Sequence, residues 1–154
     1  MKKREILILI AIVAIDLLSK YYIQSIMTLG DSIPLINNFF YITLAYNSGA
    51  AWGILSGKLE LFFVITIVVI VIIVYMLFTT NRKNNLLRLS LVVILGGTLG
   101  NFYDRVIFGY VRDFFDFYPF GYDFPIFNIA DASLCIGYFL LALYLIKHPE
   151  ENND

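Results

Sequence analysis

Four stretches of this chain stay apolar long enough to cross a bilayer, and most of its polar residues lie between them. About 20 helical residues, each rising ~1.5 Å, cover the ~30 Å of hydrocarbon in a membrane. Residues 6–26, 61–79, 86–106 and 129–147 meet that length. The pattern predicts an all-α integral membrane protein, a four-transmembrane-helix bundle forming one membrane domain over residues 1–154. After the first span, IPLINNFFYITLAYN (33–47) is rich in β-branched and aromatic residues and partly alternates, which predicts a short sheet at the membrane surface. In NSGAAWGILSGK (47–58), the spacing of Gly49, Gly53 and Gly57 fits a turn and then a short interfacial helix with Trp52 at headgroup depth. The aromatic-dense FGYVRDFFDFYPFGYDFPIF (108–127) reads as a second interfacial loop, because Pro119 and Pro125 oppose a continuous helix. The expected architecture is therefore the bundle with a small extracytoplasmic β-rich cradle and a short interfacial helix.

Composition removes the soluble alternative: 60% of the 154 residues are hydrophobic and only 15% charged. A net charge of −1 gives no electrostatic reason to bind nucleic acid. Lys2, Lys3 and Arg4 before the first span resemble the start of a signal peptide, but Asp16, Lys20 and the absence of a small-x-small cleavage site favour a retained anchor helix. Those three residues, together with Arg82, Lys83 and Arg88 around the second connection and Lys147 after the fourth span, predict that both termini and the loop near 80–88 are cytoplasmic. Residues 27–60 and 107–128 then face outward. No internal repeat or low-complexity linker interrupts the chain.

Ionisable groups inside spans are costly, so each is a candidate for function or one half of a structural pair. Asp16 and Lys20 lie four apart on one helical face, in the favourable acid-before-base order, and are expected to fix helix register. Asn101, Asp104 and Arg105 cluster at the outer end of the third span, placed either to orient something across the bundle or to bond a neighbouring helix. Asp116 and Asp123 lie among turn-forming residues and are expected to be solvated loop carboxylates. Asp131 occupies the first turn of the fourth span beside Asn128 near the cap position, which suits either a helix-start carboxylate or something more specific.

The more specific reading needs a partner, and Asp113 arrives 18 residues earlier at the same depth. Two carboxylates about 4 Å apart repel by roughly 4 kcal/mol at an effective dielectric near 20, equivalent to about 3 pKa units. One of the two would keep its proton at neutral pH. The ionised acid can then take a proton from water while the protonated one polarises a carbonyl, which is the pairing that amide hydrolysis requires. Other hydrolytic machinery is poorly represented. There is no HExxH helix, and His148 lies beyond the last span, so no metal is expected. Cys135 has no histidine partner and reads as small core packing. Ser56 with Lys58, or Ser19 with Lys20, makes a poor Ser-Lys dyad.

AYNSGAAWGIL (45–55), GNFYDRVIFGYVRDFFDF (100–117) and FNIADASL (127–134), preceded by DLLSK in the first span, resemble the ordered signature blocks of the bacterial lipoprotein signal peptidases, the type II signal peptidases. The resemblance covers nearly the whole chain. It implies a membrane aspartyl endopeptidase, without cofactor or metal, that removes the signal peptide from diacylglyceryl-prolipoprotein and cuts before the lipidated cysteine. Asp113 and Asp131 match the catalytic aspartates. Asn47, Gly49, Asn101, Arg105, Asn128 and Ala130 match substrate-binding positions, and Asp16, Lys20, Asp104 and Trp52 match supporting ones. Membrane lipid and globomycin-type peptide inhibitors are the other implied partners, and four spans suffice for a monomer. The implied location is the bacterial cytoplasmic membrane, with the active site at its outer face. Arg112 departs from the family's small apolar residue and is expected to be surface variation, unless it turns toward Asp113 and lowers its pKa. Trp52 replaces the more usual Phe. The main rival is a small ion- or proton-coupled transporter, but the lower halves of spans two to four offer no polar relay. Prepilin- or presenilin-type proteases would bring a GxGD-type motif, absent here, or a cytoplasmic site.

Overall fold

The computed structural model describes residues 1–49 and 59–149. Helix α1 (Lys3–Ile26) leads into β1 (Ser32–Ile36) and β2 (Phe40–Asn47). The helices α2 (Leu59–Thr79) and α3 (Asn85–Phe108) follow, then β3 (Val111–Phe117), a 3-10 turn (Pro119–Gly121) and α4 (Ile129–Lys147). Among the described residues, these four α-helices are long and apolar enough to cross a membrane. Their bounds lie within about three residues of the expected spans. The first helix extends back to Lys3 because Glu5 in its opening turn accepts the free Lys2 N–H at 2.6 Å.

The centre of the bundle is α3, which packs on the other three helices and is mostly buried, while α1, α2 and α4 keep one face outward. Side chains such as Leu7, Leu18, Val64, Phe78 and Phe139 are exposed on those faces, as expected where the surrounding solvent is lipid. Close helix approach depends on small residues. A methyl added at Gly97 would strike the Ala130 carbonyl, and one at Gly100 would strike the Asp16 carboxylate. At the end of the bundle near the chain termini, Ile73, Leu77, Leu87, Leu91 and Tyr144 form the apolar core. Arg88, expected as a loop charge, is buried there. It pairs with Glu5 at 2.7 and 2.9 Å and donates to the Leu77 and Thr80 carbonyls, satisfying the C-terminal end of α2.

At the opposite end the three strands form an antiparallel sheet in the order β1-β2-β3. The expected surface sheet over 33–47 is present as β1 and β2. The stretch expected to be only a loop, 108–127, supplies the third strand. Gly109, at φ 78°, ends α3 in the left-handed region, and β3 begins two residues later. Successive residues of a strand face opposite ways. Asp113, Phe115 and Phe117 therefore share one face of β3, and Arg112, Phe114 and Asp116 the other. On the first face Phe40 stacks on Phe117 with centroids 4.2 Å apart. The backbone of Phe127 exchanges hydrogen bonds with Phe115 at 2.8 and 3.0 Å, which ties the segment before α4 to β3. This bridge returns Asp131 to the neighbourhood of Asp113. The expected interfacial helix and Trp52 lie outside the described residues.

Candidate active site

Asp113 reaches the site from β3 and Asp131 from the first turn of α4, and each of their four carboxylate oxygens accepts an N–H. Asn128 Nδ2 donates to Asp113 Oδ1 at 2.6 Å and Asn47 Nδ2 to Asp113 Oδ2 at 3.1 Å. Asn101 Nδ2 donates to Asp131 Oδ1 at 2.7 Å, and the Asn128 backbone N–H to Asp131 Oδ2 at 3.1 Å. Asn128 also caps α4, its Oδ1 accepting the Asp131 N–H at 2.9 Å, so a single capping box joins the two acids. All of these donors are neutral amides. Burial, and next to it the charge of Asp131, push the Asp113 carboxyl up to about 7, against the opposing pull of the Asn47 and Asn128 hydrogen bonds.

The amide orientations follow from groups that can only donate. Lys20 Nζ lies 3.1 Å from Asn101 Oδ1, which turns Asn101 Nδ2 toward Asp131. The Asp131 N–H claims Asn128 Oδ1, which turns Asn128 Nδ2 toward Asp113. Lys20 in turn pairs with Asp16 at 2.8 Å and lies 3.6 Å from Asp104, and all three side chains are fully buried. Asp16 also accepts the Ala130 N–H at 2.8 Å, which pins the start of α4 one residue before Asp131. Behind both acids therefore runs a buried chain of alternating charge that holds their backbones without touching their carboxylates.

A cavity of about 640 Å³ opens in front of the pair. Asn47, Gly49, Asn101, Arg105, Asp113 and Asp131 supply its polar wall. Phe124, Ile126, Leu134, Ile136 and Tyr138 make the rest apolar, continuing along the exposed side of α4. Arg105 bonds the Gly49 carbonyl at 3.1 Å, and its guanidinium lies over the Phe62 ring, 4.8 Å from the centroid. Among the described residues, no three His, Cys, Asp or Glu side chains gather as a metal donor set.

A family model described as signal peptidase (SPase) II matches residues 8–147 of this chain. The chain belongs to the signal peptidase II family. A lipoprotein signal peptidase of Staphylococcus aureus is 45% identical over 150 residues, covering 97% of this chain and 92% of the relative. That of strain bovine RF122 / ET3-1 is 47% identical over the same shares. Two solved structures, each described as a bacterial membrane enzyme structure by the in meso method, also match. The one at 2.3 Å resolution has a TM-score of 0.90 and 45% identity, covering 98% of this chain and 92% of its own. The one at 1.9 Å has a TM-score of 0.86 and 46% identity, covering 94% and 93%.

Within this signal peptidase II chain, several residues differ from what sequence alone suggests. Arg112 is not surface variation. It is buried, with its N–H, Nε and Nη2 on Asp104 at 3.0, 3.1 and 2.7 Å and Nη1 on Gln24 at 2.9 Å. The missed partner, Gln24, continues the four-residue spacing of Asp16 and Lys20, and that spacing was the available signal. Asp116 is not a solvated loop carboxylate but is buried on the far face of β3, whereas Asp123 is exposed. Cys135 is not core packing, since it is exposed and lines the cavity. Ala130 is fully buried against α3, behind the cavity wall. Asn128 likewise lies behind the two aspartates it joins.

Proposed function

We propose that this protein is a membrane aspartyl endopeptidase that removes signal peptides from diacylglyceryl-modified prolipoproteins, cutting before the lipidated cysteine. The supporting observation is the convergence of Asp113 and Asp131 on Asn128 at the cavity, with the Asp113 carboxyl raised to about 7. In this reading Asp113 carries the proton of the pair and Asp131 acts as the base. Asp131 takes a proton from water as its oxygen attacks the scissile carbonyl carbon, and Asp113 gives its proton to the carbonyl oxygen. Collapse of the tetrahedral intermediate breaks the C–N bond. The leaving amine takes the proton that Asp131 gained, and the proton from the former carbonyl oxygen returns to Asp113. No covalent enzyme intermediate forms.

The apolar wall beside α4 suits a signal helix and acyl chains that remain in lipid. Asn47, Asn101 and Arg105 face extended substrate backbone. The charge bias supports cytoplasmic chain termini and a site at the outer face of a bacterial cytoplasmic membrane. The test is a reconstituted gel-shift cleavage assay on a diacylglyceryl-modified precursor and its unlipidated form. It compares the parent with Asp113→Asn and Asp131→Asn. Cleavage by the parent of the lipidated precursor alone, lost in both folded variants, is expected. Full cleavage by either variant removes that aspartate from the chemistry, and an inactive parent removes the reading.

A further inference from the structure

On the face of β3 opposite Asp113 is a second cavity, of about 360 Å³, lined by Ser32, Asn38, Tyr41, Asp116, Tyr118 and Gly121. Asp116 is only 4% exposed. Its Oδ2 accepts from Thr43 Oγ1 at 2.6 Å, and that hydroxyl also meets Ser32 Oγ at 2.8 Å. Among the described residues, its Oδ1 is buried with no donor within hydrogen-bond distance. Buried carboxylate oxygens are ordinarily satisfied, so this one is poised for a donor from outside the chain. Tyr41 and Tyr118 meet edge to face with centroids 5.6 Å apart, and the Asn38 N–H holds the Tyr41 hydroxyl at 2.9 Å. Burial, followed by the charges of Asp116 and Asp123 and by its side-chain interaction with Asp116, holds the Tyr118 hydroxyl above the ordinary tyrosine range. Among the described residues, no Lys, Arg or His lines this cavity.

We propose that this cavity binds the ammonium or guanidinium of a basic side chain in the exported segment of the substrate, a few residues beyond the cut. A cation supplies both what Asp116 Oδ1 lacks, a donor, and what the carboxylate lacks, a counter-charge, while two tyrosine rings suit its alkyl stem and its charge. Water supplies only the donor. A zwitterionic lipid amine brings a phosphate that Asp116 and Asp123 would repel, with no cation in the cavity wall to receive it. The assignment rests on the proposed peptidase activity. Asp116 lies three residues from Asp113, about 10 Å along the strand and on its other face. An extended polypeptide rising ~3.3 Å per residue reaches around the strand end in about five to seven residues.

The experiment uses the full chain in phosphatidylglycerol vesicles and lipidated precursors that differ only in one residue, Lys, Gln or Glu, scanned over the fourth to eighth positions after the cysteine. Lys at the best position is expected to raise kcat/KM about tenfold over Gln, through KM, with Glu worst. Asp116→Asn abolishes that preference and Asp116→Lys reverses it toward Glu. The Lys-to-Gln contrast in the parent alone decides the matter if either variant fails to fold. Equal kcat/KM for all precursors, cut by an active parent, overturns the site while leaving the peptidase reading intact. A parent that cuts none of them overturns both. An Asp116-dependent rate that follows added phosphatidylethanolamine and ignores the precursor's Lys assigns the cavity to lipid and also overturns the proposal.

Discussion

Replacing Asp113 with Asn isolates the cost of keeping a protonated carboxyl inside the fold. The native carboxyl titrates at about 7 against an ordinary 3.8. Between those two values the unfolded chain has released a proton that the native state retains, so the unfolded state binds fewer protons and stability falls as pH rises. The slope approaches 1.36 kcal/mol per pH unit, which over about three units is about 4 kcal/mol, and the curve levels above pH 7. Water reaching the pair past half-buried Asp131 reduces this toward about 2 kcal/mol. Asn removes the titration and adds a constant penalty, because its NH₂ must face the Nδ2 donor of either Asn47 or Asn128. The two stability curves should therefore cross, with the parent more stable near pH 4.5 and Asp113→Asn gaining on it by about 2–4 kcal/mol by pH 8, which is roughly 5–10 °C in Tm. Thermal unfolding in detergent, followed by far-UV circular dichroism across that pH range, measures the difference and cancels the other carboxylates. Parallel curves would refute a raised Asp113 pKa, and with it the assignment of the shared proton.

The same ionisation should appear in catalysis: kcat/KM on a lipidated precursor is expected to fall about tenfold per pH unit above about 7, and a flat profile to pH 9 would contradict a protonated Asp113. Lys20→Met leaves Asp16 and Asp104 buried without their shared cation and should cost about 3–5 kcal/mol, read as a loss of Tm. Arg88→Met should destabilise by a similar amount through buried Glu5, yet leave kcat/KM per folded molecule unchanged, because it acts at the far end of the bundle. Gly100→Ala drives a methyl into the Asp16 carboxylate and the Ala130 methyl. A cost of about 1–3 kcal/mol in stability is expected, with up to ~100-fold in kcat/KM as the first turn of α4 moves.

What could be read from the sequence was whatever repeats along one element. The spans follow from apolar length, and the Asp16–Lys20 pair from helical spacing. The Asn128–Asp131 cap follows from its place at the start of an apolar run. What could not be read was which elements meet. VRDFFDF looks like loop because its alternation is broken by Phe114 and Phe115 side by side, and only pairing with β2 on one edge and Phe127 on the other makes it a strand. Asp116 is buried for the same reason, since its cover comes from residues more than 70 positions earlier.

Arg112 shows how far this matters for chemistry. A guanidinium directly before an acid that must keep its proton near neutral pH looks harmful, because a cation beside Asp113 would lower its pKa. The strand pleat separates them: residues 112 and 113 project from opposite faces. Arg112 goes to Asp104 and Gln24, while Asp113 faces Asn47 and Asn128. The bond from the Arg112 N–H to Asp104 Oδ2 then fixes the backbone one residue before Asp113, just as Asp16 fixes it one residue before Asp131. Both acids are thus held from behind by buried carboxylates whose charge is taken up by Lys20 and Arg112. The charge needed to hold β3 and the start of α4 in place is kept off the pair itself, and that separation leaves burial free to raise the Asp113 carboxyl.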